Sequence, residues 1–261
     1  MRITVITVVK NDLPGLVRTV KSVEAQTFGD IEHIVFDGLS VDGTSEWLLN
    51  HQSPLEKTIY RSQPDDGLYD AMNQAMKEMS GDLVLFLNAG DELYHQSTLA
   101  DVARDRAEKN WTWAYGVIER HTKGQVTGHS SKVKIKNRDF IAGKAWIPHQ
   151  AAFLPVDLLR GNGFTYQKRF GMAADQDLML KLVLLEPPFI MDLIVARFQN
   201  GGRHSQISPI RRELDWLEIR KQYASDGFLG ALKISWWTVN HVVRGLRTIA
   251  KRQVRRLTRT A

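Results

Sequence analysis

The sequence predicts an α/β fold: a mostly parallel sheet with helices on both faces, then a mixed α+β half, then an amphipathic helical extension. Three observations predict it. Up to about residue 110, short β-branched or apolar runs alternate with segments of helical spacing, the βαβα rhythm of a parallel sheet. Three of those runs end in Asp-rich loops, which in an open parallel sheet gather along the carboxyl edge, where ligands bind. After about Asn110 the rhythm gives way to strand-like runs and one strong helix. The chain thus divides into residues 1–110, 111–205 and 206–261.

The elements follow in order. Ile3 to Val9 is a β-branched strand, and Leu13 to Gln26 carries apolar residues at helical spacing (Leu16, Val20, Val23) with Pro14 in the first turn. Ile31 to Phe36 is strand-like and runs into the turn-rich loop Asp37 to Thr44, followed by a helix to about His51. Thr58 to Arg61 leads into Ser62-Gln-Pro-Asp-Asp-Gly67 and a helix from about Gly67 to Met79. Leu83 to Phe86 is a buried strand that delivers Asn88 and Asp91 into a Gly-containing turn. In the second half Trp113 to Arg120 and Gln125 to Val133 read as antiparallel strands, and Ala151 to Leu154 is short and apolar. Ala174 to Glu186 is a helix (Leu178, Leu182, Leu185) ended by Pro187-Pro188.

Composition narrows the function. With 261 residues, 43% of them hydrophobic, the chain can bury a large core. It has no cysteine, which excludes disulfides, a thiolate nucleophile and Cys-ligated metals. Ile3 to Val9 is too short and Thr-rich for a secretory signal, and Leu178 to Ala196 is broken by Lys181, Glu186, two prolines and Asp192, short of the ~18 apolar residues that span a bilayer. A cytoplasmic protein is expected. Net charge is +6, but eight of the 35 Lys and Arg and none of the 29 Asp and Glu lie in residues 227–261. A mildly acidic body with a basic tail does not suit a nucleic-acid groove.

Phe86-Leu-Asn-Ala-Gly-Asp-Glu92 suits a hard cation and a phosphate at a sheet edge, although Asn-Ala-Gly-Asp is also ordinary turn composition. Four ordered segments carry a resemblance: Ile3 to Asn11, Asp37 to Thr44, Pro64 to Asn73, and Phe86 to Asp91. Together they resemble family 2 glycosyltransferases with the GT-A fold, and most of all the bacterial exopolysaccharide enzymes of the colanic-acid and O-antigen type. The resemblance covers roughly residues 1 to 205. It implies a Rossmann-like half that binds a nucleoside diphosphate-sugar and a second half that binds the acceptor.

The resemblance assigns roles residue by residue. Asp37 matches the position that hydrogen-bonds the nucleobase, and Asp65 or Asp66, with Asp66 preferred, lines the nucleoside pocket. Thr7, Asn11, Asn73 and Asn88 belong to the same nucleotide-sugar-binding motifs. Asp91 matches the last acid of the family's Asp-x-Asp element, which holds Mg²⁺ or Mn²⁺ against the diphosphate. The chain departs from the pattern at Asn88 and Gly90, where the family commonly has Asp, so Asp91 carries most of the metal binding. In Phe170 to Leu180, Asp175 falls on the catalytic base and Ala174 where Glu is common. The bland reading of Asp175 is an N-cap, and Asp177 is the second candidate. His149 and Gln150 match an acceptor-side loop. His204 is a candidate metal or diphosphate ligand and Arg203 a diphosphate contact, both in a glycine-rich loop whose more ordinary reading is a surface loop with incidental charge.

The segment beyond Gly227 lies outside the resemblance. Leu229, Leu232, Trp236, Val239, Val243, Leu246, Val254 and Leu257 project into an arc of roughly 100°, with basic residues opposite. Such a helix lies on an anionic membrane surface, or packs against its own domain or a homodimer partner. The expectation is an inverting, metal-assisted hexosyltransferase of cell-surface polysaccharide synthesis, peripheral on the inner membrane face, acting on a lipid-linked saccharide. Two alternatives stand beside it: a sugar nucleotidyltransferase, and a catalytically silent membrane-docked binding module.

Overall fold

The computed structural model describes residues 1–130, 136–141, 143–201 and 208–223. Strands β1 (Ile3–Val9), β2 (Ile31–Asp37), β3 (Lys57–Ser62) and β4 (Leu83–Phe86) run parallel in the spatial order β3-β2-β1-β4. Helices α1 (Leu13–Glu24), α2 (Thr44–Asn50) and α3 (Leu68–Ala75) connect them. Helix α1 starts on a local signal: Asp12 accepts the Gly15 N–H at 3.0 Å, and Pro14 sits where its missing N–H costs nothing. Helix α3 ends earlier than its spacing predicts. The chain must turn into β4, and the Ser80 N–H is taken by the buried Glu32 carboxylate of β2 at 2.6 Å.

Successive side chains of these strands enter two different cores. Ile6, Val8, Ile34, Phe36, Val84 and Phe86 pack on one face with Tyr69 and Met72 of α3. Ile3, Val5, Ile31, Leu83 and Leu85 pack on the other with Val23, Leu99 and Val102. A parallel sheet buried on both faces needs such near-continuous apolar runs.

The second half contributes β5 (Glu92–Leu93), α4 (Thr98–Lys109), β6 (Ala114–Thr122), β7 (Gln125–His129), α5 (Asn137–Ile141), β8 (Ala152–Pro155), α6 (Val156–Gly161), α7 (Ala174–Leu185), β9 (Phe189–Gln199) and α8 (Pro209–Tyr223). The β6–β7 hairpin is antiparallel, as the sequence predicts, but β7 ends at His129. Strand β8 pairs antiparallel with both β4 and β6 and so joins the two halves in one sheet of nine strands among the described residues. Strand β9, which the sequence reading lacks, pairs parallel with β6 and antiparallel with β5. Its Asp192 interrupts the apolar pattern that would have announced it. The fold is thus the expected α/β arrangement, and the carboxyl ends of β1 to β4 lie at one sheet edge. The basic tail at 227–261 lies outside the described residues.

Candidate active site

At the carboxyl edge, three loops are tied to one another before any ligand arrives. Asp37 is fully buried at the end of β2, where its carboxylate accepts from Ser45 Oγ at 2.6 Å, Ser62 Oγ at 2.7 Å and the Ser40 N–H at 3.1 Å. Asn11 joins the β1 and β2 loops: its N–H donates to Ser40 Oγ at 2.7 Å and its Oδ1 accepts the Val41 N–H at 2.8 Å. Asp42 accepts the Leu13 N–H at 2.9 Å and so pins the same loop to the start of α1. Asp37 and Asn11 therefore help to hold this loop in shape.

A cleft of about 90 Å³ opens beside these loops, lined by Val8, Val9, Lys10, Asp65, Leu68 and Ala71. Of the two adjacent acids, Asp65 lines it. A β-carbon at Gly38 would lie 1.9 Å from Asp65 Oδ2, so glycine is what lets this carboxylate lie against the β2 loop. The Asp66 side chain is 88% exposed and pairs with Lys168 Nζ at 2.5 Å, so the preference for Asp66 is replaced by Asp65. Thr7 is fully buried within the sheet, 3.0 Å from His33 Nε2. Asn73 clamps the two halves, donating to the Tyr166 carbonyl at 2.9 Å and accepting its N–H at 2.9 Å. Neither faces the cleft.

Asn88 to Asp91 form a turn closed by the Asp91 N–H on the Asn88 carbonyl at 3.0 Å. Its third residue is Gly90 at φ +95, a conformation that disfavours the Asp common there in the family. Thr19 of α1 locks the turn: its hydroxyl donates to the Asp91 carbonyl at 2.7 Å and accepts the Gly90 N–H at 3.0 Å. Asp91 is 5% exposed, and burial pushes its carboxyl up to about 7 against the opposing effects of His149, the Gln199 N–H and Gln150. Beside it, Asn88 Oδ1 is buried with no hydrogen-bond partner among the described residues. A desolvated carboxylate next to an orphaned amide oxygen fits a hard divalent cation. Among the described residues no cluster of three His, Asp or Glu side chains forms a ready-made metal cage. Asp91 and Asn88 would thus hold such an ion together with substrate oxygens and water.

His149 lies between this turn and α7. Its Nε2 is 3.4 Å from Asn88 Nδ2, and its Nδ1 is 3.2 Å from Asp175 Oδ2. The roles are mutually satisfied when the imidazole proton is on Nδ1, donating to the carboxylate, while Nε2 accepts from the Asn88 amide. Asp175 is 6% exposed and opens α7, where Gln176 donates to it from its backbone N–H at 2.8 Å and from Nε2 at 3.0 Å. Gln176 is itself fixed to Ile147 by two bonds, of 3.1 and 2.9 Å. Tyr69 of α3 reaches the same spot, donating to the Met172 carbonyl at 3.2 Å, and burial followed by the charge of Asp175 pushes its phenol well above the ordinary value.

Asp175, His149, Gln150 and Gln176 line a cavity of about 540 Å³, whose other walls include Arg120, Trp146, Asp215 and Trp216. Trp146 is 41% exposed, with the Arg120 guanidinium 5.1 Å from its ring centre. Asp177 is not part of this cavity. It is fully buried on another side of α7, against Lys181 Nζ at 2.7 Å and Tyr223 Oη at 2.8 Å. Thr19, Tyr69, Gln176 and Asp215 escape the sequence reading because each acts across the fold. His204 and Arg203 lie outside the described residues.

The arrangement sets a cation-compatible pair, Asn88 and Asp91, and a buried, hydrogen-bonded carboxylate, Asp175, on either side of His149. A sequence model described as Glycosyl transferase family 2 matches residues 4–157. An uncharacterized glycosyltransferase of Mycobacterium tuberculosis is 36% identical over 211 residues, 79% of this chain and 78% of its own. A PGL/p-HBAD biosynthesis glycosyltransferase of Mycobacterium bovis is 33% identical over 188 residues, 69% of this chain and 70% of its own. Among solved structures, S. aureus TarS 1-349 in complex with UDP-GlcNAc matches 93% of this chain and 72% of its own, with a TM-score of 0.69 at 18% identity. The mannosyltransferase PcManGT from Pyrobaculum calidifontis, in complex with GDP-Man and Mn²⁺, matches 96% and 75%, with a TM-score of 0.63 at 19% identity. At these identities the two structures show a shared GT-A-like fold.

Proposed function

The chain belongs to glycosyl transferase family 2, and from that premise we propose that it moves a hexose from a nucleoside diphosphate-sugar to a lipid-linked saccharide, with inversion. The observation that carries the reading is His149, set between the Asn88 turn and Asp175. That position supports the reading, in which the donor diphosphate and the base would stand on opposite sides of one imidazole. The neighbours bound to UDP-GlcNAc and to GDP-Man with Mn²⁺ support a nucleotide-sugar donor and a divalent metal. The division near residue 110 then separates a donor half from an acceptor half.

In this reading the nucleoside lies in the cleft beside Asp65 and Lys10, over the loop that Asp37 holds in shape. Asp91 and Asn88 would hold Mg²⁺ or Mn²⁺, whose charge offsets that developing on the departing diphosphate. Asp175 accepts the proton of the acceptor hydroxyl as that oxygen forms its bond to the anomeric carbon and the bond to the diphosphate breaks. His149 and Gln176 keep the carboxylate oriented. A single displacement inverts the anomeric centre. Trp146, exposed at the cavity rim, offers a flat apolar face to a sugar ring, with Arg120 beside it.

No helix of the described residues is long and apolar enough to cross a membrane. A peripheral placement on the inner membrane face, through the basic tail at 227–261, suits a lipid-linked acceptor. The relative named for PGL/p-HBAD biosynthesis supports a role in cell-surface glycan synthesis. Incubation with UDP-, GDP- and dTDP-sugars, Mn²⁺ and a lipid-linked saccharide tests the reading. Release of nucleoside diphosphate with an inverted linkage is expected. Release of pyrophosphate would indicate nucleotidyl transfer instead, and donor binding without turnover a silent binding module.

A further inference from the structure

Helix α8 grips the segment that carries Asp175, and both lie beyond the residues 4–157 that the family model matches. Asp215, 4% exposed, accepts the Met172 N–H through Oδ2 at 2.9 Å, and Arg211 Nε holds its Oδ1 at 3.1 Å. The preceding residue, Gly171, has φ +50 and ψ −129, and a β-carbon there would lie 2.5 Å from both Asp215 oxygens. Glycine is required at this point twice over, by its left-handed backbone and by the carboxylate packed against it. At the far end of α8, Tyr223 donates to Asp177 Oδ1 at 2.8 Å. The two contacts fall on either side of Asp175.

We propose that Asp215 is a positioning residue for Asp175. By holding the Met172 amide against the Gly171 bend, it fixes the direction in which α7 departs, and so fixes where the Asp175 carboxylate meets His149. The N-cap position of α7 is Ala173, which has no side-chain acceptor, and only Asp175 within the first turn takes a backbone N–H, that of Gln176. The contact from α8 is therefore an external restraint on a helix start that local sequence leaves weak. This inference rests on the glycosyl-transfer reading, in which Asp175 is the base. A purely stabilising Asp215–Arg211 pair would instead alter melting temperature and leave the kinetics of the native enzyme alone.

The test uses full-length protein and the nucleotide-sugar that the wild type turns over. Asp215→Ala removes the acceptor for Met172, Asp215→Asn keeps an acceptor oxygen, and Arg211→Gln removes only the exposed partner. Expected for Asp215→Ala are faster hydrogen–deuterium exchange over residues 170–176, a fall of at least about tenfold in kcat, and a donor dissociation constant within about twofold of wild type. Asp215→Asn should recover most of the kcat, and Arg211→Gln nearly all of it. The inference is overturned if exchange over 170–176 is unchanged in Asp215→Ala. It is overturned equally if donor affinity is what falls, or if Arg211→Gln loses as much kcat as Asp215→Ala. If Asp215→Ala does not fold, Asp215→Asn decides: exchange over residues 170–176 faster than in Arg211→Gln supports the inference, and exchange equal to wild type in both overturns it. A wild type that turns over no donor defeats the glycosyl-transfer reading, while exchange still decides whether Asp215 holds the bend.

Discussion

His149 Nδ1 lies 3.2 Å from Asp175 Oδ2, and both residues are almost fully buried. The pair joins two elements far apart in sequence: the turn leading into β8 and the first turn of α7. Because the other imidazole nitrogen faces Asn88, the candidate base and the diphosphate turn share one rigid intermediary. His149→Ala should therefore lower kcat by about ten- to a hundredfold, the usual scale for losing a group that orients a catalytic one. Donor affinity should change less, and His149→Gln, which retains a donor, should recover part of the loss. Steady-state kinetics with a donor titration checks this.

Asp91 links metal binding to pH. Burial raises its carboxyl to about 7, above its value in an unfolded chain. Between about pH 4 and 7 the native state keeps a proton that the unfolded chain has released, so metal-free stability should fall as pH rises through that window and level off above it. A cation needs the ionised form, so Mn²⁺ affinity should rise up to about tenfold per pH unit below 7 and then flatten. Asp91→Asn should abolish both trends and nearly all transfer. Thermal unfolding from pH 5 to 8, with and without Mn²⁺, is the measurement.

The adjacent acids Asp65 and Asp66 should separate cleanly. Asp65 lines the cleft, whereas Asp66 is exposed and paired with Lys168. Asp65→Ala should weaken binding of the free nucleoside diphosphate by about tenfold or more and leave saturated turnover closer to normal. Asp66→Ala should leave binding within about twofold, since an exposed ion pair contributes little. Calorimetric titration distinguishes them.

The tail carries a charge prediction. Eight basic residues without an acid at 227–261 should be drawn to anionic lipid by about 1 kcal/mol each near the surface. Full-length protein should pellet with anionic vesicles at low salt and partly release at high salt, and a chain ending at Asp226 should stay in the supernatant. Pelleting of the truncated form, or of neither, would make the tail a packing or dimer helix.

The first half was legible because each signal is local: the β-branched runs, Pro14 in the first turn of α1, and Asp-rich loops after strands. Asn88, Asp91, His149, Gln150 and Asp175 lie close together in the fold. Less legible was what each polar group does once placed. Asp37, Asn11 and Asn73 look like ligand contacts in a motif, yet in the fold they bond to backbone or to serine hydroxyls. Asp177 differs from Asp175 by two helix positions, about 200° of rotation, which carries it out of the cavity to Lys181 and Tyr223. Strand β9 and the reach of α8 onto Gly171 depend on pairings between distant segments that no local pattern announces.

Turnover by Asp175→Asn, measured alongside donor affinity, decides whether Asp175 is the base of a glycosyl transfer. The substitution keeps shape and removes the proton acceptor. Nucleoside diphosphate release should fall by about 10²- to 10⁴-fold with donor binding intact. Asp177→Asn, which weakens a buried pair outside the cavity, should lower the melting temperature while the folded enzyme keeps its rate. Near-normal turnover in Asp175→Asn, with the loss appearing in Asp177→Asn instead, would exclude Asp175 as the base.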